Sequence, residues 1–326
     1  MKMLNLGGDG QMSQIDIHAD DYALTVNTSK DMLSCMKEGG LDSISIMSNM
    51  SCFQECMELL YSEIPNLPFL PKMSVHLNFV EGHSLAGAKN TLSLTKDNSD
   101  LMGLSWGGLF LLSYLPWKRS AAKKQLKKEI KMQIETVQAV VNRAMKTAKE
   151  HDIPCTQKSI RIDSHQHTHM IPVVWEALTE VIEEEQYEVE YIRNAKEMLS
   201  PFITEVSLWK TYRPVNFIKN ILLSLYSHKV DRYAEAHNLQ KMYLWGLIMS
   251  GHMDYDRIVR LYPRITAKSS KEDRVLEIVY HPGLTLPEEM SEELDRRAAD
   301  DFYMRQDRHI DMDALLKTSK LRHLVP

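Results

Sequence analysis

Short apolar runs alternate along this chain with longer stretches of helical period. Ile15 to His18 reads as a strand, and Thr28 to Glu38 as a helix closed by Gly39-Gly40, a C-cap signal. Ser43 to Met47 alternates apolar and polar positions, which predicts a strand. Ser51 to Ile64 predicts a helix ended by Pro65 and Pro68, and Met73 to Phe79 the next strand. Residues 80–118 carry no regular period. From Ala121 to Glu150 the period is helical throughout. Leu126, Ile130, Ile134, Val137, Val141 and Met145 form one stripe, and lysines the other face. A strand at Ser159–Asp163, a helix at Pro172–Glu185 and a weaker strand at Glu188–Ile192 follow. Residues 201–240 read as mostly helical, and Tyr243 to Ile248 fits a strand or a buried helix. Val275 to Tyr280 is a strand, with an acidic helix from Pro287.

Strands that alternate with helices predict a parallel sheet with helical crossovers, here of six or seven strands. No linker or repeat divides the chain. A single α/β domain over residues 1–326 is expected, barrel-like, with a doubly wound sheet as the alternative. Residues 80–118 and 201–260 are expected to be insertions or lid segments. The Gly-Gly-Asp-Gly run at 7–10 precedes the first strand, so it is no dinucleotide fingerprint, and a phosphate-binding P-loop motif is absent.

Composition narrows the field. Of 326 residues, 44% are hydrophobic and 25% charged, a globular balance that excludes disordered, collagenous and coiled-coil classes. The net charge of −5, from 39 basic and 44 acidic residues, implies no broad basic face and no nucleic-acid partner. Lys118 to Lys131 is expected to be a solvated helix face. Four cysteines are too few for a disulfide scaffold. Cys52 and Cys56, at helical spacing, read as buried thiols rather than a metal clip. The first residues hold one lysine and no apolar run, so no secretory leader is expected and the cytoplasm is the expected compartment. Leu101 to Trp117 is uncharged, yet it is shorter than the about 20 residues of a membrane span and is broken by Gly103, Gly107, Gly108 and Pro116. It is expected to cover the barrel rim or a subunit contact, with no membrane partner and a homodimer as the candidate assembly.

The chemistry gathers at strand ends. The first strand runs into His18-Ala19-Asp20-Asp21, another carries His76, a third runs into Asp163-Ser164-His165-Gln166-His167-Thr168-His169, and the last ends at His281-Pro282-Gly283. In parallel α/β folds the C-terminal strand edge is where sites are built. Each piece has a plain alternative: an Asp-Asp pair is commonly a helix cap, His76 a satisfied core residue, His281 a turn residue. Three imidazoles in five residues are harder to dismiss, since positions i and i+2 of an extended turn share a face. Paired carboxylates with several imidazoles form the ligand set of a catalytic divalent metal.

The segments HADDYALT at 18–25, VHLNF at 75–79, IDSHQHTHMIP at 162–172 and YHPG at 280–283 resemble the YdjC-like family of carbohydrate deacetylases, which includes chitooligosaccharide deacetylase. They follow the family's order across most of the chain. Ala23 stands where a glycine is common, and residues 201–260 match weakly. The resemblance implies an irregular (β/α) barrel of the glycoside hydrolase and deacetylase type, binding one divalent ion, Mg²⁺ or Zn²⁺. It places Asp21, His76 and His165 at the metal-ligand positions, Asp20 at the general base and His281 at the catalytic acid. His167 and His169 support those ligands or contact substrate, and Asp163 is placed to orient a histidine. An N-acetylated amino sugar or short oligosaccharide is the implied substrate. A non-catalytic sugar-binding protein on the same fold, or an Fe(II) oxygenase using two histidines and one aspartate, are the competing readings.

Overall fold

The computed structural model describes residues 14–96, 99–295, 302–305 and 308–321; the Gly-Gly-Asp-Gly run and the start of the chain lie outside them. Seven strands make one sheet: β1 (Ile15–Tyr22), β2 (Ser43–Ile46), β3 (Lys72–Leu77), β4 (Ile160–Ser164), β5 (Val189–Ile192), β6 (Met242–Trp245) and β7 (Val275–Tyr280). Their order is β5-β4-β3-β2-β1-β7-β6, every pair parallel. The crossovers carry α1 (Val26–Lys37), α2 (Phe53–Glu63), α3 (Trp106–Leu112), α4 (Pro116–Glu150), α5 (Pro172–Glu184), α6 (Leu199–Thr204), α7 (Pro214–Ala236) and α8 (Tyr255–Lys271); α9 (Arg308–Leu321) follows β7.

The sheet curls into a half-barrel, irregular because its open side is narrowed by loop rather than strand. There the Leu244 N–H donates to the Lys196 carbonyl at 3.0 Å, and the Glu197 carboxylate accepts from the N–H groups of Gly246 and Ile248 at 2.8 and 2.6 Å.

Buried parallel strands usually read as continuous apolar runs. Here they alternate, because only one face is apolar. Ile15, Ile17 and Ala19 of β1, Ile44 and Ile46 of β2, and Met73, Val75 and Leu77 of β3 pack under the helices in the main core. The intervening Asp16, His18, Asp20, Ser43, Ser45 and His76 are buried together on the other face and bond to one another across strands. The interior of the barrel is therefore polar, and it leads straight to the rim.

Three differences from the sequence reading have local causes. Residues 80–118 hold α3, whose Ser105 hydroxyl caps the Gly108 N–H at 3.2 Å. The sequence reading assigns no element to 255–271, yet Ile258, Leu261, Tyr262 and Ile265 keep a helical period through Pro263 and α8 forms, capped where Asp254 accepts from the Arg257 N–H at 3.1 Å. The acidic helix from Pro287 is a single 3₁₀ turn, Pro287–Glu289. Among the described residues no helix is long and apolar enough to cross a membrane.

Candidate metal centre

Adjacent residues of a regular strand point to opposite faces. The pairing of β1 with β2 shifts register between Ala19 and Tyr22, and Asp21 takes a left-handed φ of 70°. This irregularity turns both Asp20 and Asp21 into the buried interior. Ala23 follows at φ 71°, which is why a glycine is favoured there. Left-handed backbone at non-glycine residues costs about 1–2 kcal/mol each, and such strain gathers at functional sites.

Asp21 meets His76 of β3 and His165 just beyond β4. Asp21 Oδ1 lies 3.2 Å from His76 Nε2 and 2.9 Å from His165 Nδ1. The outer ring atoms fix which nitrogens carry lone pairs. His76 Nδ1 lies 2.6 Å from Asp163 Oδ1, and a carboxylate accepts only, so Nδ1–H donates and Nε2 is the nitrogen that is bare once the ring is neutral. The Tyr303 hydroxyl donates to Glu81 Oε2 at 2.9 Å, so its oxygen accepts from His165 Nε2–H at 2.9 Å, leaving the His165 Nδ1 lone pair toward Asp21. Two imidazole lone pairs and a carboxylate thus converge. Asp21 Oδ2 and His76 Nε2 are buried and have no hydrogen-bond partner. Burial lowers the proton affinity of His76, but Asp20 and Asp163 overcome this and raise it to about 10. A site with so strong a pull on positive charge fits a divalent cation, whose binding would displace the proton from His76 Nε2.

A second group, His18, Asp20 and Asp163, has ligand-like spacing one layer deeper. It contains its own cation. Arg193 donates to both oxygens of Asp20 at 2.7 and 2.8 Å and to both of Glu277 at 2.9 and 3.0 Å, and lies 3.3 Å from Asp163. His18 bridges Ser43 at 2.7 Å and Glu277 at 3.0 Å on one nitrogen and reaches Ser45 at 2.5 Å on the other. Burial would raise Asp20, but Arg193 and the neighbouring histidines hold it well below the carboxylate range.

The three imidazoles of the 165–169 run do not share a face. They lie on a 3₁₀ turn, His165–Met170, broken by left-handed Gln166 and His167, so the rings diverge. His165 turns to Asp21. His167 lines the cavity, buried, with Nδ1 unpartnered. His169 turns away, its nitrogens 2.5 Å from Ser164 Oγ and 2.8 Å from the Arg193 carbonyl. His281 Nε2 lies 3.9 Å from Asp20 Oδ2. Gly283, at φ 98°, lets this loop sit on α1, since a Cβ there would come within 2.8 Å of Thr28 Cα. Desolvation lowers His281 to about 4 despite Asp21 and Asp20, so the ring is neutral near pH 7.

These groups line a cavity of about 200 Å³, with Lys219 of α7 and Gln166 on its wall. Gln166 also lines a neighbouring cavity of about 630 Å³ that includes Trp106 and Leu104. Burial lowers Lys219 to about 8, and it has no ion-pair or hydrogen-bond partner among the described residues.

Sequence reasoning passed over Arg193, Glu277, Glu81 and Tyr303. Arg193 follows directly on β5, so the strand-end rule that marked Asp20 applied to it as well. Glu277 is the single charge in an apolar strand. Tyr303 has no local signal, since its role arises only where the chain returns to the rim.

A model of the YdjC-like protein family matches residues 14–153 and 157–324. No curated protein matches the chain. Among solved structures, a proposed cellobiose-phosphate cleavage protein from Enterococcus faecalis V583 is 15% identical, with 96% of this chain and 95% of that chain covered and a TM-score of 0.56. At that identity the likeness is one of fold.

Proposed function

The chain belongs to the YdjC-like protein family, and on that premise we propose that it is a metal-dependent hydrolase removing the acetyl group from an N-acetylated amino sugar or short oligosaccharide. One observation carries the reading: the unpartnered, buried Asp21 Oδ2 and His76 Nε2 converge with His165 Nδ1 beside Asp20 and His281. Asp21, His76 and His165 would hold a divalent ion, which when bound polarises the acetyl carbonyl and makes water a stronger acid. Asp163 and the Glu81–Tyr303 pair keep the two rings in the ligating tautomer.

Asp20, ionised and fixed by Arg193, accepts the proton of the attacking water. His281 is neutral in the resting site and so has no proton of its own to give. Once the 3.9 Å between them closes to hydrogen-bond distance in the substrate complex, it takes the proton from Asp20 and passes it to the amine nitrogen as the C–N bond breaks. One proton moves from water to the leaving nitrogen, acetic acid and amine are released and exchange the acid's proton in solution to give acetate, and the site returns to its starting state. A sugar reaching from the site into the neighbouring cavity is supported by that cavity's volume of about 630 Å³, within the range of small-molecule sites, by Trp106 as a flat apolar wall, and by the sugar phosphate named for the Enterococcus faecalis protein.

Acetate release from a panel of N-acetylated sugars, measured before chelation, after it, and after return of Zn²⁺ or Mg²⁺, tests the proposal. Release that stops with chelator and returns with metal is expected. Release that survives complete metal removal, or turnover that needs O₂ and yields no acetate, overturns it.

A further inference from the structure

Of the fifteen large hydrophobic side chains exposed among the described residues, eleven fall in two segments, 111–117 and 203–225. The centre of this patch is α7. Its inner face buries Leu223, Ser227 and Val230, yet Val215, Ile218, Leu222 and Leu225, at the same helical spacing, face solvent, with Ile218 and Leu225 each 60% exposed. A helix that is apolar all round belongs inside a protein or against another apolar phase. Leu111, Tyr114 and Trp117 continue the patch, tied to α7 by the 2.8 Å hydrogen bond between the Tyr114 and Tyr226 hydroxyls. Trp209 extends it on the other side, next to Tyr212, which packs edge-on to Phe217 of α7 at 5.6 Å. Monomers rarely expose so large an apolar surface without a partner.

The rim indicates which partner. In a chain of net charge −5, residues 206–230 carry Lys210, Arg213, Lys219 and Lys229 and no acidic residue, and residues 101–128 are likewise basic without Asp or Glu. Arg119, Lys123 and Lys127 are tied to Glu176, Glu180 and Glu184 of α5. Lys118, Lys210, Arg213 and Lys229 have no acidic partner among the described residues. A second copy docking by two-fold symmetry would set this basic rim against itself, which like charge disfavours. A bilayer with anionic headgroups supplies both an apolar phase and negative charge. We infer that α7 and the 111–117 segment form a peripheral docking face for an anionic lipid surface. The face lies beside the candidate site, since Lys219 of the same helix lines its cavity. The expectation of no membrane contact assumed that the 101–117 run is covered, and Trp117 is 74% exposed.

Co-sedimentation of the full chain with vesicles of phosphatidylcholine, alone or mixed with phosphatidylserine, tests this. Binding to the mixed vesicles is expected, weaker on phosphatidylcholine and fading as salt rises. Lys210→Ser and Arg213→Ser should weaken it about fivefold per charge removed. Ile218→Ser with Leu225→Ser should weaken it at least about tenfold, with the thermal midpoint unchanged. No binding, equal binding to both vesicle types, or binding that ignores these substitutions overturns the inference. So does a dimer in sedimentation equilibrium that the Ile218→Ser, Leu225→Ser variant dissociates, since a second copy would then cover the face.

Discussion

Two buried clusters of histidine and aspartate lie one layer apart at the mouth of this half-barrel, and they are built from the same residue types. Around His18, Asp20 and Asp163, the Arg193 guanidinium spreads its donors over three carboxylates, and both nitrogens of His18 have partners. Around Asp21, His76 and His165 no arginine or lysine makes an ion pair among the described residues, and two buried acceptors are left bare. Ligand-like spacing therefore does not define a metal site by itself. The count of donors against acceptors separates a cluster that carries its own cation from one that calls for another.

The comparison breaks first in kinetics. Asp20→Asn and His281→Ala should keep the metal yet each lose about 10²–10⁴-fold in rate, the worth of one general base or acid. His281→Ala should hurt an N-acetyl substrate more than a matched O-acetyl one, because an alkoxide leaves with less help from a proton than an amine does. Equal loss on both substrates would make His281 a positioning group.

Stability separates the clusters next. Arg193→Met leaves Asp20, Asp163 and Glu277 without their cation and should destabilise the fold by about 3–5 kcal/mol in urea, with or without metal. Asp21→Asn should leave metal-free stability near that of the parent but abolish the rise in midpoint on adding Zn²⁺. A metal-independent loss for Asp21→Asn as large as that for Arg193→Met would erase the distinction.

A pH effect follows from the rings facing away from the candidate ion. Burial holds His169 near 4, below the about 6.5 of an unfolded chain. As pH falls the unfolded chain takes up the proton first, so this stability is present above about 6.5 and is lost on the way down to about 4. The loss is up to about 3 kcal/mol for His169, and His281 acts in the same direction. Urea unfolding at several pH values should show a shallower acid slope for His169→Gln; an unchanged slope would contradict the burial argument. The smallest effects belong to the supports: Asp163→Asn and Tyr303→Phe should each weaken metal binding about 10–100-fold in competition with a chelating dye.

Much of this was legible along the chain, and the exceptions share a cause. Period-two runs and glycine or proline stops located six of the seven strands; β6, apolar at every position, fits a strand or a buried helix equally well along the sequence. The motifs at 18–25, 75–79, 162–172 and 280–283 lie at strand ends that the topology brings to one edge. What escaped depends on direction rather than position. The divergence of His165, His167 and His169 follows from left-handed Gln166 and His167, and the inward turn of both Asp20 and Asp21 from the β1 irregularity. The role of Arg193 depends on partners 84 and 173 residues away, beyond the reach of any local pattern.

Zinc titration of chelator-stripped protein, read as stoichiometry for the parent chain, Asp21→Asn and Asp20→Asn, tests the central claim most directly. One equivalent per chain is expected, lost in Asp21→Asn and retained in Asp20→Asn. Two equivalents, or one equivalent that Asp20→Asn removes and Asp21→Asn keeps, would place the metal in the deeper cluster and contradict it.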